Sequence, residues 1–146
     1  MNLLGTHDTP RILTALVDNF DGPREVLAER FLSARQRKLA EMRLLVASFL
    51  QFTLPGAPSI YYGDEVGMEG GKDPFNRRPY SWGKENTTLR EHYRKLGQLR
   101  RQEAALRTGK TEFCYASGGL LHFIREDKNS KLHIYVNQSA DSYLLE

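Results

Sequence analysis

The chain has 146 residues, of which 40% are hydrophobic and 27% are charged, and its formal net charge is +3. These values are typical of one globular domain, or of one domain with a small appendage. No apolar run approaches the roughly 20 residues that cross a bilayer, so the sequence predicts no membrane partner. The basic residues fall in helical patterns with Glu and without interleaved aromatic residues, which argues against nucleic acid as a partner.

The single cysteine, Cys114, has no partner in the chain for a disulfide. The sequence therefore gives no reason to expect an oxidising compartment, and a cytoplasmic location is the expectation. An N-terminal signal upstream of Met1 would change that expectation. We expect Cys114 itself to be a small buried hydrophobic residue.

The first eleven residues carry the densest polar cluster next to an apolar run. Residues 1–5 read as a short buried strand that stops at Gly5. Asp8 or Thr9 is expected to cap the next helix, predicted over residues 10–19, with Pro10 in its first turn. A strand that ends in a His-Asp pair and turns into a helix is typical of a barrel active-site loop, because such loops lie at the carboxyl ends of parallel strands.

The order of elements after this loop predicts a βαβ unit. A turn at residues 21–23 precedes a short helix over about 23–32, and the capping-box spacing from Ser33 to Gln36 starts a long helix to about Thr53. Residues 59–62 read as a second strand. Strand, helices and strand in this order imply parallel pairing. The long helix carries an apolar stripe of Leu39, Met42, Leu45, Val46, Phe49 and Leu50.

Residues 63–87 show no period, and an aperiodic loop of this length is more often functional or disordered than a plain connection. A second capping-box spacing, from Thr88 to Glu91, predicts a helix to about Arg107. Its inward residues are expected to be Tyr93, Leu96, Leu99 and Leu106. From residue 109 the period changes to two, which predicts an antiparallel β module with a turn at 117–119 and a last strand at 142–145.

Three segments of the chain resemble the alpha-amylase family of glycoside hydrolases. Residues 2–11, NLLGTHDTPR, are similar to its last conserved region, and residues 54–65, LPGAPSIYYGDE, resemble its eighth barrel strand and the approach to it. Residues 70–79, GGKDPFNRRP, with Trp82 behind them, look like a loop of neopullulanases, cyclomaltodextrinases and maltogenic amylases. The three segments occur in the family's order, and together they are far more specific than a lone His-Asp pair.

The resemblance implies an α/β fold. Residues 1–108 would be the last two βα units of a (β/α)8 TIM barrel, and residues 109–146 a small antiparallel β domain. It also implies a retaining hydrolase of α-1,4 and α-1,6 glucosidic bonds in glucans, malto-oligosaccharides or cyclodextrins. Such chemistry uses two carboxylates about 5–5.5 Å apart, one as nucleophile and one as acid/base.

By the motif match, Asp8 would be a third carboxylate that grips the sugar hydroxyls and stabilises the transition state, and His7 would bind the same sugar. Asp73 and Arg77 would form a pair that contacts the outer glucose units. A neutral imidazole can donate one hydrogen bond, and a fixed Asp–Arg fork suits ligands rich in hydroxyl groups.

The family's nucleophile and acid/base Glu belong to earlier barrel strands, and the sequence offers no counterpart of either. Two strands cannot close a barrel. We therefore expect a C-terminal fragment of such an enzyme that is inactive alone. The alternative is a non-catalytic carbohydrate-binding or interaction module derived from an amylase.

Several residues also have plain structural readings. His7 and Asp8 could simply begin a helix, and Asp73 with Arg77 could be a salt bridge that closes a loop. Asp64 and Glu65 are expected to be structural, because adjacent strand residues point to opposite faces. No cofactor or metal is predicted, although the resemblance allows a structural calcium ion in a complete enzyme. Leu3, Ile60 and the helix stripe would normally meet the rest of a barrel, so we expect a homo-oligomer.

Overall fold

The computed structural model describes residues 1–18, 22–139 and 142. The strands are β1 (Asn2–Leu3), β2 (Pro58–Ser59), β3 (Lys110–Ser117), β4 (Leu120–Glu126) and β5 (Lys131–Asn137), and the helices are α1 (Ile12–Ala15), α2 (Arg24–Glu29), α3 (Ala34–Thr53), α4 (Thr87–Gln102) and α5 (Ala104–Thr108). Two 3-10 turns, Asp64–Val66 and Phe75–Arg77, lie between β2 and α4. Three predicted features fall at least partly outside the described residues. They are the end of the first helix at residue 19, the start of the turn at residue 21 and the last strand at 142–145. None of the described helices is long and apolar enough to cross a membrane.

The predicted parallel pairing is confirmed. Strand β1 pairs with β2 in parallel, with Asn2 opposite Pro58 and Leu3 opposite Ser59. Both strands are shorter than predicted. The side chain of Gln51, at the end of α3, extends the pairing because its Nε2 donates to the carbonyl oxygens of Asn2 at 3.0 Å and Ser59 at 2.9 Å.

Helix α3 begins with the predicted capping box. The Oγ atom of Ser33 accepts from the Gln36 amide at 3.3 Å, and Oε1 of Gln36 accepts from the Ser33 amide at 3.0 Å. The face of α3 that is buried differs from the apolar stripe, since its buried members are Ala40, Leu44, Ser48, Gln51, Phe52 and Thr53. The stripe residues Leu39 and Met42 are instead 41% and 58% exposed.

The predicted caps of two other helices are wrong. Helix α1 begins at Ile12 without a side-chain cap, and the Thr9 hydroxyl accepts from the Thr6 amide at 2.9 Å instead. The cause is a long-range contact, because the amide of Arg11 donates to the carbonyl oxygen of Gly70 at 2.9 Å and the helix starts four residues after Asp8.

Helix α4 is capped by Asn86 rather than Thr88. The Oδ1 atom of Asn86 accepts from the Leu89 amide at 3.1 Å. The predicted single helix to residue 107 is interrupted at Glu103, and Leu99 is 37% exposed rather than inward.

The antiparallel sheet that the two-residue period predicted is present, and its strand order is β3-β4-β5. Phe123 and Ile134 of this sheet pack with Leu106 of α5. Cys114 is exposed, so its predicted burial is wrong. It lies on the edge strand β3, at an irregularity in the pairing between Phe113 and Tyr115 that disturbs the alternation of faces.

Candidate functional site

The loop between β1 and α1 presents two polar side chains to solvent. Gly5 ends the extended segment, and the side chains of His7 and Asp8 are 65% and 69% exposed. The Nε2 atom of His7 lies 3.1 Å from Oδ2 of Asp8. The pair stands at the carboxyl end of a parallel strand, which is where the sequence placed it.

A second loop approaches the first from the segment that precedes α4. Its 3-10 turn carries Arg77, whose Nε atom lies 2.8 Å from Oδ1 of Asp73. The same guanidinium donates to the His7 carbonyl oxygen at 3.1 Å, and its Nη2 lies 3.5 Å from Oδ1 of Asp8. The structure thus brings together all four residues that the sequence singled out, and Arg77 bridges the two carboxylates.

Asn76 is a site residue that the sequence reasoning missed. It is fully buried, and its Nδ2 donates to the carbonyl oxygens of His7 at 2.7 Å and Thr9 at 2.8 Å. The available signal for Asn76 was its place next to Arg77 in the third segment that resembles the family. A buried Asn side chain needs hydrogen-bond partners, and this one finds them in the main chain of the first loop. Asn76 therefore holds the main chain on either side of Asp8.

Close main-chain packing keeps the second loop against the first. A Cβ atom on Gly70 would meet the carbonyl oxygen of Phe75 at 2.3 Å, so only glycine fits there. The amide of Gly70 also donates to the Thr14 hydroxyl of α1 at 3.0 Å. The relative position of the two loops is thus set by backbone contacts and not only by the exposed ion pairs.

A buried ion pair lies behind the exposed cluster. Arg11 is 1% exposed and Asp64 is 2% exposed, and Nη1 of Arg11 lies 3.5 Å from Oδ1 of Asp64. The guanidinium carbon of Arg11 is 4.3 Å from the ring centroids of both Tyr61 and Tyr62. Burial raises the pKa of Asp64 to about 7, although the Arg11 guanidinium acts to lower it.

Asp64 and Glu65 lie in a 3-10 turn, not in a strand. Their side chains therefore do not alternate between the two faces of a strand, as the sequence had predicted. Asp64 makes a structural ion pair with Arg11, and it faces the main chain of the site loop rather than solvent.

The exposed cluster suits a ligand rich in hydroxyl groups. The carboxylates of Asp8 and Asp73 can accept several hydrogen bonds each, whereas His7 and Arg77 can donate them. Among the described residues, no group of three or more His, Cys, Asp or Glu side chains could hold a metal ion.

Comparison with known proteins identifies the family. Residues 1–111 match the family model described as alpha amylase, catalytic domain. The chain belongs to the alpha-amylase family of glycoside hydrolases. The amylopullulanase of Thermoanaerobacter thermohydrosulfuricus is 45% identical over 131 residues, which are 90% of this chain and 8% of that protein. The cyclomaltodextrinase of Geobacillus thermopakistaniensis is 36% identical over 97% of this chain and 21% of its own length.

Solved structures of the family show the same fold. The maltogenic amylase from S. marinus superimposes with a TM-score of 0.74 at 33% sequence identity, covering 97% of this chain and 18% of that one. The chain therefore spans a small part of the length of the relatives that it matches. Its fold is that of the TIM-barrel enzymes of the family, with helices and an antiparallel three-stranded sheet.

Proposed function

We propose that the chain supplies part of the substrate-binding site of a retaining glycosidase that acts on α-1,4 and α-1,6 glucans or cyclodextrins. In this proposal, residues 1–108 are the seventh and eighth βα units of the barrel and residues 109–146 belong to the β domain. The observation that carries it is the convergence of His7, Asp8, Asp73 and Arg77 at the carboxyl end of β1. The similarity to amylopullulanase and cyclomaltodextrinase supports the substrate class.

In this proposal each residue has one role. Asp8 accepts hydrogen bonds from the hydroxyls of the sugar at the cleavage point and stabilises its distorted, oxocarbenium-like state. His7 donates to the same sugar from the ring nitrogen that otherwise faces Asp8. Asp73 and Arg77 bind an outer glucose unit, and Arg77 links that unit to the Asp8 carboxylate.

The described residues supply neither the nucleophile nor the acid/base of this chemistry. Asp8 and Asp73 both engage Arg77, and Asp64 is buried behind the loop. Cleavage with retention needs a nucleophile and a carboxylic acid on opposite sides of the scissile bond. We therefore infer that the chain alone binds a malto-oligosaccharide without cleaving it.

Titration of the chain with maltoheptaose, followed by amide chemical shifts, tests this assignment. Shifts are expected at residues 6–9 and 73–77, and Asp8→Asn is expected to abolish most of the affinity. The matched control is Glu112→Gln, an equally conservative change of an exposed carboxylate on β3. Equal affinities for the two variants would remove Asp8 from the binding site.

The alternative, a carbohydrate-binding module without catalysis, is favoured by one observation: the four-residue cluster is assembled entirely within this chain. The distinguishing measurement is hydrolysis of cyclodextrin, pullulan and starch by the product of the complete reading frame that encodes the chain. Hydrolysis that Asp8→Asn abolishes supports the enzyme. Binding by that product without hydrolysis supports the module.

The exposed apolar residues support self-association of the isolated chain. Leu3 of β1 and Ile60, just after β2, are 49% and 42% exposed, and Met42 and Leu39 of α3 are comparably exposed. Exposed apolar patches promote association. Light scattering is expected to show a dimer or larger assembly, and a monomer at high concentration would exclude it.

A further inference from the structure

We propose that Asp64 and Arg11 are positioning residues for substrate binding, because they fix the two ends of the loop that carries His7 and Asp8. The inference rests on the proposed function of that loop and adds two residues to it. Neither residue reaches the exposed face where a sugar would lie, since both side chains are almost completely buried. They are expected to act through the main chain of residues 5–11.

The beginning of the loop lies against the Asp64 carboxylate. A Cβ atom built on Gly5 would be 2.8 Å from Oδ2 of Asp64, which is too close for any side chain other than hydrogen. Gly5 is itself buried. The main chain therefore leaves β1 close against the Asp64 carboxylate, with no room between them for a side chain on residue 5.

The end of the loop is held through the Arg11 guanidinium. Its Nη1 donates to the carbonyl oxygen of Tyr62 and lies 3.5 Å from Asp64, and the group stacks over the rings of Tyr61 and Tyr62. The amide of Arg11 also donates to Gly70. Both ends of the loop thus meet one segment, the residues just after β2.

Asp8 depends on these anchors because its own contacts are weak. It lies three residues from Gly5 and three from Arg11, and its side chain is 69% exposed with Arg77 at 3.5 Å. Exposed ion pairs of this kind contribute little. A binding group is held accurately when buried neighbours lock the backbone that carries it, and here those neighbours are Asp64, Arg11 and Asn76.

Each charged group of the pair favours the charged form of the other. Burial and the neighbouring Glu65 raise the pKa of Asp64, whereas Arg11 lowers it. Removal of Arg11 would therefore favour the protonated Asp64, and removal of Asp64 would leave a buried guanidinium without its carboxylate. A buried pair that loses one partner is costly because the other charge remains desolvated. The two substitutions should consequently not be additive.

A double-mutant cycle with Asp64→Asn and Arg11→Gln tests the inference. Each single variant is expected to bind maltoheptaose on the order of tenfold more weakly, and the double variant no more weakly than the worse single one, since coupled residues depart from additivity. Hydrogen exchange at the amides of residues 6–9 is expected to accelerate in both single variants, while exchange in the middle of α3 is unchanged.

The control variant is Ile134→Val, which lies in the core of the three-stranded sheet, away from the loop. It should lower the free energy of unfolding by about 1 kcal/mol and leave both sugar affinity and loop exchange unchanged. If the Asp64 and Arg11 variants behave like this control, or if exchange rises uniformly along the chain, the positioning role is wrong. If the unsubstituted chain binds no maltoheptaose, the proposed function fails, and the local exchange rates still decide whether the pair holds the loop.

Discussion

The strand pair that carries the site and the three-stranded sheet are built by different means. Strands β1 and β2 share only two residue pairs, whereas β4 and β5 share seven in an uninterrupted antiparallel register. Short loops connect the neighbouring strands of the sheet. The strand pair and the loop after it are held by side chains from distant segments, Gln51 to Asn2 in β1 and Asn76 to His7 in the loop. The strand pairing of the sheet is thus specified locally, whereas the site region depends on contacts across half the chain.

The buried groups of the two regions differ in the same way. The centre of the sheet is mostly apolar, with Phe123, Ile134 and Leu106 in contact, and it buries one guanidinium, that of Arg125, which donates to the carbonyl oxygen of Thr53 at 2.7 Å. Behind the site loop, by contrast, lie a guanidinium, a carboxylate and an amide, those of Arg11, Asp64 and Asn76. Buried polar groups contribute less to net stability than apolar packing does, but they fix geometry because each requires particular partners. Substitutions in the sheet should therefore change stability most, and substitutions behind the loop should change binding most.

The largest effect on stability is expected from Phe123→Ala. This side chain is fully buried, and its loss should lower the free energy of unfolding by about 3–5 kcal/mol, measured by urea denaturation. The control is Tyr115→Ala on β3, which is 49% exposed and should cost less than about 1 kcal/mol. A similar loss for both would mean that the sheet has no dominant core.

The second prediction concerns pH and the buried carboxyl of Asp64. Its pKa is about 7 in the folded chain, against a usual value of 3.8. Between these values the folded state holds a proton that the unfolded state releases. The free energy of unfolding should therefore fall as pH rises from about 4 to about 7, with a slope from this group of at most about 1.4 kcal/mol per pH unit.

Asp64→Asn cannot titrate, so the difference in unfolding free energy between it and the parent chain isolates this contribution. Most other groups titrate alike in both proteins and cancel. The Arg11 guanidinium acts to lower the pKa of Asp64, and the charge of the nearby Glu65 acts to raise it. Parallel stability profiles for the two proteins from pH 4 to 7 would mean that Asp64 keeps an ordinary pKa.

The third prediction compares the site loop and the three-stranded sheet by their effects on maltoheptaose affinity. Asn76→Ala removes both hydrogen bonds to the carbonyl oxygens of His7 and Thr9, and should cost about 2 kcal/mol of unfolding free energy. Its effect on maltoheptaose affinity should be larger than that of Phe123→Ala, once affinity is corrected for the folded fraction. Asn129→Ala, in the exposed loop before β5, is the control and should change neither quantity measurably. Retention of full affinity by Asn76→Ala would show that the loop keeps its shape without this amide.

The sequence predicted the locally specified parts of the molecule well. The two-residue period predicted the hairpins of the sheet, and the spacing of Ser33 and Gln36 predicted the start of α3. The errors have different causes. Residues 8 and 9 offered a local cap, but the contact of Arg11 with Gly70 placed the helix start elsewhere. Cys114 follows the strand period, yet it is exposed at an irregular position of an edge strand.

For the candidate site, the resemblance to a family named the residues, but it did not give their arrangement. His7 and Asp8 are neighbours in sequence, as are Asp73 and Arg77 at a spacing of four. That Arg77 would reach Asp8, 69 positions earlier, is a property of the folded loops. The same holds for Arg11 and Asp64, since no local pattern marks a partner more than fifty residues away. Partners of this kind have to be read from the structure.

The smallest predicted effect concerns the capping residues at the starts of α3 and α4. It tests whether each helix start is specified by its own local sequence. Ser33 and Thr88 stand at equivalent positions of two capping-box spacings, but only Ser33 accepts a capping hydrogen bond, whereas α4 is capped by Asn86. Ser33→Ala should therefore lower the free energy of unfolding by about 1 kcal/mol, and Thr88→Ala by less than about 0.5 kcal/mol. The measurement is urea denaturation of both variants under identical conditions. Equal losses would indicate that Thr88 shares the cap with Asn86, and the start of α4 would then be as locally specified as that of α3.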